Sequence, residues 1–413
     1  MTMCRRCDHP VQHQQHPLSE QPSVMSPRVT RPSRRDWLHV ALRRGGQLAA
    51  SLATVYSLTH GTRPWFSSCR PLGLSTAGAA EPTATNWPSR VLASPNDRAG
   101  ARAPVVTATH LRPGGQEFAT AGDDHQIYLW RLVDGTLLRK LSGHRDWVQT
   151  VAYSPNGECL ATAGNDRRVL IWDVERGTIT QALADARDVV TSVSWSADGS
   201  QLACVGLEDR LRIYNTQSWK LEKELVCPAN DMRCVDHSSD QRWLAVAGRQ
   251  GHVRIWDRLQ NDQVRDLRPH RQRVRALAFA PESDFLVSAG EDRLINVVDL
   301  AQRDTQFTLP GTTAKILAIA FYGAHQLATG GSDNLIRLWN LADRREVGTL
   351  AGHRGSVASL AGNGAVLISS GFDTEVRIWS ITDHVATDRQ PAARTSRKEG
   401  RDDASRSGGT KNE

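Results

Sequence analysis

The stretch AGNDRRVLIWD, residues 163–173, reads as the end of one strand, a tight turn and a second strand, with Asp166 six residues before Trp172. The alternation in RRVLIWD has the period of a half-buried strand rather than of a helix. The aromatic that closes it returns along the chain. Trp130, Trp172, Tyr214, Trp256, Val298 (an aliphatic in the same place), Trp339 and Trp379 follow one another at intervals of 42, 42, 42, 42, 41 and 40 residues. A fixed period of this length is the mark of a repeat architecture.

Within one period the segments VQTVAYSPNG, ECLATAG, RRVLIWD and TITQALA are strand-like and separated by turn residues. Four short strands joined in order describe an antiparallel meander. A sheet this small cannot bury both faces alone, so it must pack against copies of itself. Stacking such sheets around an axis gives a propeller.

The stretches LATAGNDRRVLIWD, SGHRDWV, GGSDNLIRLWN and AGHRGSV resemble WD repeats, with glycine-histidine and tryptophan-aspartate signatures, and the resemblance covers residues 105–380. Seven repeats imply an all-β fold, a seven-bladed β-propeller of four-stranded antiparallel sheets. The resemblance also implies a chain of hydrogen bonds in each blade from a histidine, a hydroxyl, the turn aspartate and the tryptophan. Here these are His144, Thr162, Asp166 and Trp172, and again His353, Ser369, Asp373 and Trp379. A buried carboxylate needs such partners, so this histidine-hydroxyl-aspartate set is read as structural and no catalytic residue is expected. The other blades depart from the pattern. Thr120, Asp124 and Trp130 lack the histidine, as do Thr329, Asp333 and Trp339, and His270, Ser288 and Asp292 end on Val298. The third blade offers Cys204, Glu208 or Asp209, and Tyr214; the fourth has Val246, Gln250 and Trp256. These blades are expected to rely more on apolar packing, and the third and fourth to open first.

The propeller is expected to span residues 89–388. Ring closure needs a strand from one terminus, for which SRVLAS at 89–94 is preferred over HVATDR at 384–389. Residues 1–88 form a basic leader and 389–413 a polar tail, both read as disordered from their composition. The formal net charge is +7, yet residues 1–104 hold 13 Lys+Arg against 5 Asp+Glu, leaving 38 against 39 for the rest. A neutral body lacks the footprint of a nucleic-acid binder, and no apolar run is long enough for a transmembrane span. Within the leader, Arg34 and Arg35 followed by Trp37 and Leu38 resemble a twin-arginine export signal spanning about 25–80, with Met25 as a natural start and small residues for cleavage near Ala80; without export the chain is cytoplasmic. Cys4 and Cys7 with His9, His13 and His16 have the ligand types of a zinc site but not its common spacing, and no metal or cofactor is expected. Cys159, Cys204, Cys227 and Cys234 fall in or beside apolar runs and read as reduced, buried thiols.

The expected function is that of a non-catalytic interaction scaffold, monomeric by itself, that holds a protein or peptide on the face where loops gather. In the family the contacts concentrate before the turn aspartate and near the start of each innermost strand. Those positions are Asp123, Asn165, Arg249, Glu291 and Phe372, and Trp147, Asp231 and Arg273. The alternative is a propeller enzyme with a small substrate in the central channel. That requires acids or imidazoles converging from several innermost strands, and only MRCVDHS supplies them in mid-strand, as Asp236 and His237.

Overall fold

A computed structural model describes residues 87–92, 103–282, 284–302 and 305–381. Within them lie seven sheets of four antiparallel strands, each built in chain order. The first blade comprises Val106–Leu111, Glu117–Gly122, Gln126–Arg131 and Leu137–Ser142, and the second Val148–Tyr153, Cys159–Gly164, Val169–Asp173 and Thr178–Leu183. The next innermost strands are Val190–Trp195, Met232–His237, Val274–Phe279, Ile316–Phe321 and Val357–Asn363. Each packs on the innermost strand of the blades before and after it, and the seventh packs on the first, so the ring closes. The described residues contain no α-helix, and hence none long and apolar enough to cross a membrane.

The closing strand is Ser89–Leu92, which pairs antiparallel with Val376–Ser380 and completes the last blade. Arg377 donates to Ser89 Oγ at 3.0 Å, while Arg90 donates to the carbonyls of Leu132 and Val133 at 2.7 and 2.8 Å, tying the strand to the first blade as well. The competing segment at 384–389, the leader motifs, the Cys4–Cys7 cluster and the polar tail lie outside the described residues.

The core is divided between blades rather than held within them. Seven apolar clusters occupy the seven interfaces; one joins Ala119, Ile127 and Leu129 of the first blade to Val148, Leu160 and Trp172 of the second. The last joins Phe118 and Trp130 to Ile368 and Ile378 across the closure. This is the packing that a sheet with two apolar faces demands. Cys204, Cys227 and Cys234 are buried in it, and burial pushes their thiols up to about 12, which leaves them unreactive at neutral pH.

Every blade carries the same irregularity. The pairing of its innermost strand with the second skips one residue just after the strand begins: Thr107, Gln149, Thr191, Arg233, Arg275, Leu317 and Ala358. Opposite each bulge the second strand ends in glycine, from Gly122 and Gly164 through to Gly331 and Gly371. A Cβ on Gly164 would lie 2.0 Å from the Trp147 carbonyl oxygen, and one on Gly206 1.9 Å from that of Val189, so no side chain fits there. The next residue donates its N–H to that same carbonyl, as Asn165 does to Trp147 at 2.8 Å.

Candidate functional site

The bulge organises the loop face. By adding a residue to one strand it re-aims a side chain that strict alternation would send elsewhere. The seven re-aimed side chains, one per blade, meet with Phe372 around a cavity of about 160 Å³ at one mouth of the channel. The accompanying backbone clamp joins the residue before each turn to the residue before each innermost strand. It links Asp123 with Val105, Asn165 with Trp147, Arg249 with Asp231, Glu291 with Arg273 and Phe372 with Ser356, at 2.8–3.1 Å. The two sets of positions singled out in the sequence are therefore adjacent in space.

Their side chains differ in availability. Phe372 is 48 % exposed and lines the cavity. Trp147 is half-buried, and its indole N–H is enclosed without a hydrogen-bond partner among the described residues. Asn165 accepts a hydrogen bond from Gln149 Nε2 at 3.0 Å, and Asp123 accepts one from the Val105 N–H at 2.8 Å, so both serve the loop face internally. Arg249 is exposed on a short 3₁₀ turn, Arg249–Gly251. Asp231, Arg273 and Glu291 form one ion-paired group: Arg273 reaches Asp231 at 2.8 Å and Glu291 at 3.4 Å. Arg233 and Arg275, which were not among the sequence candidates, belong to the same group. They could have been found by stepping the 42-residue period from Thr107 through Gln149 and Thr191.

Behind this face stand the polar networks of the blades. His144 Nδ1 meets Asp166 at 2.8 Å, its Nε2 meets Thr162 Oγ1 at 2.7 Å, and Trp172 Nε1 donates to the same hydroxyl at 2.8 Å. His353, Asp373, Ser369 and Trp379 repeat the arrangement at 2.8, 2.7 and 2.8 Å. Glu375 lies near enough to His353 and Asp373 to suggest a metal site. Both imidazole nitrogens of His353 are already engaged, however, and Glu375 is paired with Arg377 at 2.7 Å. His270, Ser288 and Asp292 form the same triangle, and Val298 ends it.

The expectation that the remaining blades lean on apolar packing needs correction for three of them. Tyr128 donates to Asp124 at 2.6 Å, Arg337 donates to Asp333 at 2.7 Å, and Arg212 binds Glu208 through two nitrogens. In each, the residue four positions after the turn acid supplies the donor that the missing histidine would have been. Trp130 and Trp339 still donate to Thr120 and Thr329 at 2.8 and 2.9 Å.

Deeper in the hub, Asp236 and His237 meet Ser194 of the preceding blade, each at 3.2 Å. The sequence had offered them no partner on another strand. The arrangement is not that of a nucleophilic triad, in which one imidazole bridges acid and hydroxyl through its two nitrogens. His237 Nε2 is buried without a partner among the described residues, Asp236 Oδ2 is occupied by the Phe279 N–H at 2.9 Å, and Ser194 is buried. Burial holds His237 down at about 3 and Asp236 up at about 6.

Comparison with known families agrees with this geometry. The family model described as the IFT122 first beta-propeller matches residues 105–340, and that of the WD domain, G-beta repeat, matches residues 344–380. The chain belongs to the WD40 β-propeller family. Among the curated proteins compared, none matches. WD40 propellers are typically protein-interaction scaffolds and generally non-catalytic.

Proposed function

We propose that this WD40 propeller is a non-catalytic scaffold that binds a protein or peptide partner on its loop face, at and around the channel mouth. The observation that carries the reading is the convergence of seven bulged, non-identical side chains with Phe372 on one rigid rim. Such a rim presents a different group from each blade at little ordering cost, the condition under which a few residues dominate binding. Phe372 is the first anchor, being aromatic, exposed and on the rim. Trp147 is the second, being a half-buried aromatic clamped through its carbonyl to Asn165 at the start of an innermost strand.

Affinity capture from native cell fractions, comparing wild type with Phe372→Ala and Trp147→Ala, tests this. Each substitution is expected to reduce recovery of the specific partner by about tenfold, the effect of losing one hot-spot side chain, while the melting temperature of Phe372→Ala stays near wild type. Equal recovery by all three proteins overturns the reading.

A further inference from the structure

The channel mouth is not uniform in charge. Leu317, Ala358 and Phe372 make one sector apolar, while Thr107, Gln149 and Thr191 make another polar. The polar groups are already engaged: Thr107 Oγ1 donates to the Val148 carbonyl at 3.0 Å, Thr191 Oγ1 to that of Met232 at 2.7 Å, and Gln149 to Asn165. The third sector holds Arg233 and Arg275, backed by Arg273 and Lys315. Among the described residues, only two carboxylates serve these four cations. Asp231 lies 2.6 Å from Arg233 and 2.8 Å from Arg273; Glu291 lies 3.4 Å from Arg273, 3.5 Å from Lys315 and 3.7 Å from Arg275. Two positive charges are left over. Arg275 is the least compensated, because 3.7 Å is too long for a hydrogen bond and a guanidinium carries five donors. Burial, together with the nearby guanidiniums of Arg233 and Arg273, outweighs the opposing charge of Glu291 and pulls its pKa below the ordinary arginine value.

We propose that this sector recognises a peptide carboxylate, from an Asp or Glu side chain or from a chain terminus, held by Arg233 and Arg275, with the adjoining apolar part of the peptide against Leu317 and Phe372. The inference rests on the loop face being the binding face and names what that face selects. A cavity of about 160 Å³ admits one short side chain with a few waters. It is below the roughly 300–1,000 Å³ that encloses a whole small-molecule ligand. The fork of a guanidinium matches a carboxylate in two parallel hydrogen bonds, and such charge-assisted pairs are stronger in a partly enclosed site than in water. The rigid bulges hold both forks in place before the ligand arrives.

The test uses fluorescence anisotropy with the whole chain and three dye-labelled peptides. One is a leucine-flanked glutamate peptide blocked at both ends, the second its glutamine counterpart, and the third the glutamine peptide with a free C-terminal carboxylate. The glutamate or the free-terminus peptide is expected to bind about tenfold tighter than the blocked glutamine peptide, and which of them does identifies the source of the carboxylate. Arg275→Ala and Arg233→Ala are each expected to remove about tenfold of that affinity. Arg176→Ala, an exposed arginine on a peripheral turn, should leave it unchanged. Should the arginine variants melt early, Leu317→Glu provides the second arm: a carboxylate planted on the rim occupies the arginines and is expected to abolish binding. Equal binding of all three peptides, or full binding by a folded Arg275→Ala or Leu317→Glu, overturns the proposal. If partner capture is lost in Phe372→Ala but kept in both arginine variants, the loop face still binds and carboxylate recognition alone is refuted; capture indifferent to all of them refutes both.

Discussion

Asp166 shows how one carboxylate is kept ionised inside a propeller blade. Burial alone would raise its pKa. The hydrogen bond and charge of His144, together with the N–H groups of Arg145 and Arg168, outweigh that and hold it below the usual carboxylate value. Removing it strands the His144 Nδ1 and the Arg145 N–H, which approach it at 2.8 and 3.1 Å. Asp166→Ala is therefore expected to lower the unfolding free energy by roughly 1–3 kcal/mol, measured by denaturant titration; an unchanged midpoint would show the network to be dispensable. This network was readable through the resemblance to WD repeats, in which the hydroxyl and the aspartate stand 10 and 6 residues before the tryptophan in both blades and the histidine precedes the innermost strand. The bulged residues of the rim were not, for a physical reason: a bulge breaks the period of two, so alternation assigns Gln149 or Arg275 to the wrong side. The compensating signal was the glycine set ending each second strand, which keeps the same period as the tryptophans and in the first five blades leaves no room for a Cβ against the backbone.

At the level of the element, the blades differ in how the turn after the second strand is fastened. Three use histidine, and three use a tyrosine or arginine from the third strand. The fourth has neither an acid nor a hydroxyl in place: Gln250 sits in the left-handed region at φ 65°, and Arg254 turns instead to Asp266 on the outermost strand at 2.6 Å. The third blade, expected from sequence to be weak, is secured by Arg212 and Glu208. Hydrogen exchange should therefore find the second and third strands of the fourth blade, Trp243–Gly248 and Val253–Asp257, exchanging ahead of their counterparts in the second, third and seventh. Faster exchange in the third blade than in the fourth would show that the Arg212–Glu208 pair does not fasten it. Strand order and number were legible because the period and turn residues set them. The replacement donors were not, because a tyrosine or arginine at an alternating polar position looks like any solvated side chain until the turn brings it under the acid.

Across the whole molecule, the hub is laced from blade to blade by side chains that accept a backbone N–H from the next innermost strand. His110 accepts from Tyr153 at 3.3 Å, Ser192 from Val235 and Ser194 from His237 at 3.2 Å, and Asp236 from Phe279 at 2.9 Å. This lacing makes stability depend on pH. Burial pushes His110 down to about 4 and His237 to about 3, below the unfolded value near 6.5, so the unfolded chain takes up protons first and stability is lost as pH falls below about 6.5. Asp236, raised by burial to about 6, works in the opposite sense: the folded form binds its proton first and gains as pH falls through about 6 towards 4. Two imidazoles against one carboxyl leave a net loss in acid. The melting temperature should fall from about pH 7 to about pH 4.5, and more steeply in Asp236→Asn, which keeps an acceptor for Phe279 but loses the opposing titration. A parallel decline in the two proteins would mean that Asp236 ionises as it does in water.

The strand that finishes the seventh blade also sets a boundary for processing of the chain. Trimming that stops before Ser89 leaves the latch whole, with Arg90 still gripping the first blade. A cut between Leu92 and the first innermost strand at Val106 would leave the latch held without a covalent link. Were it then lost, the backbone of Val376–Ser380 would be bare, an open edge able to recruit a strand from another molecule. Loss of Ser89–Leu92, unlike trimming that stops short of it, would therefore turn a closed wheel into a seed for association.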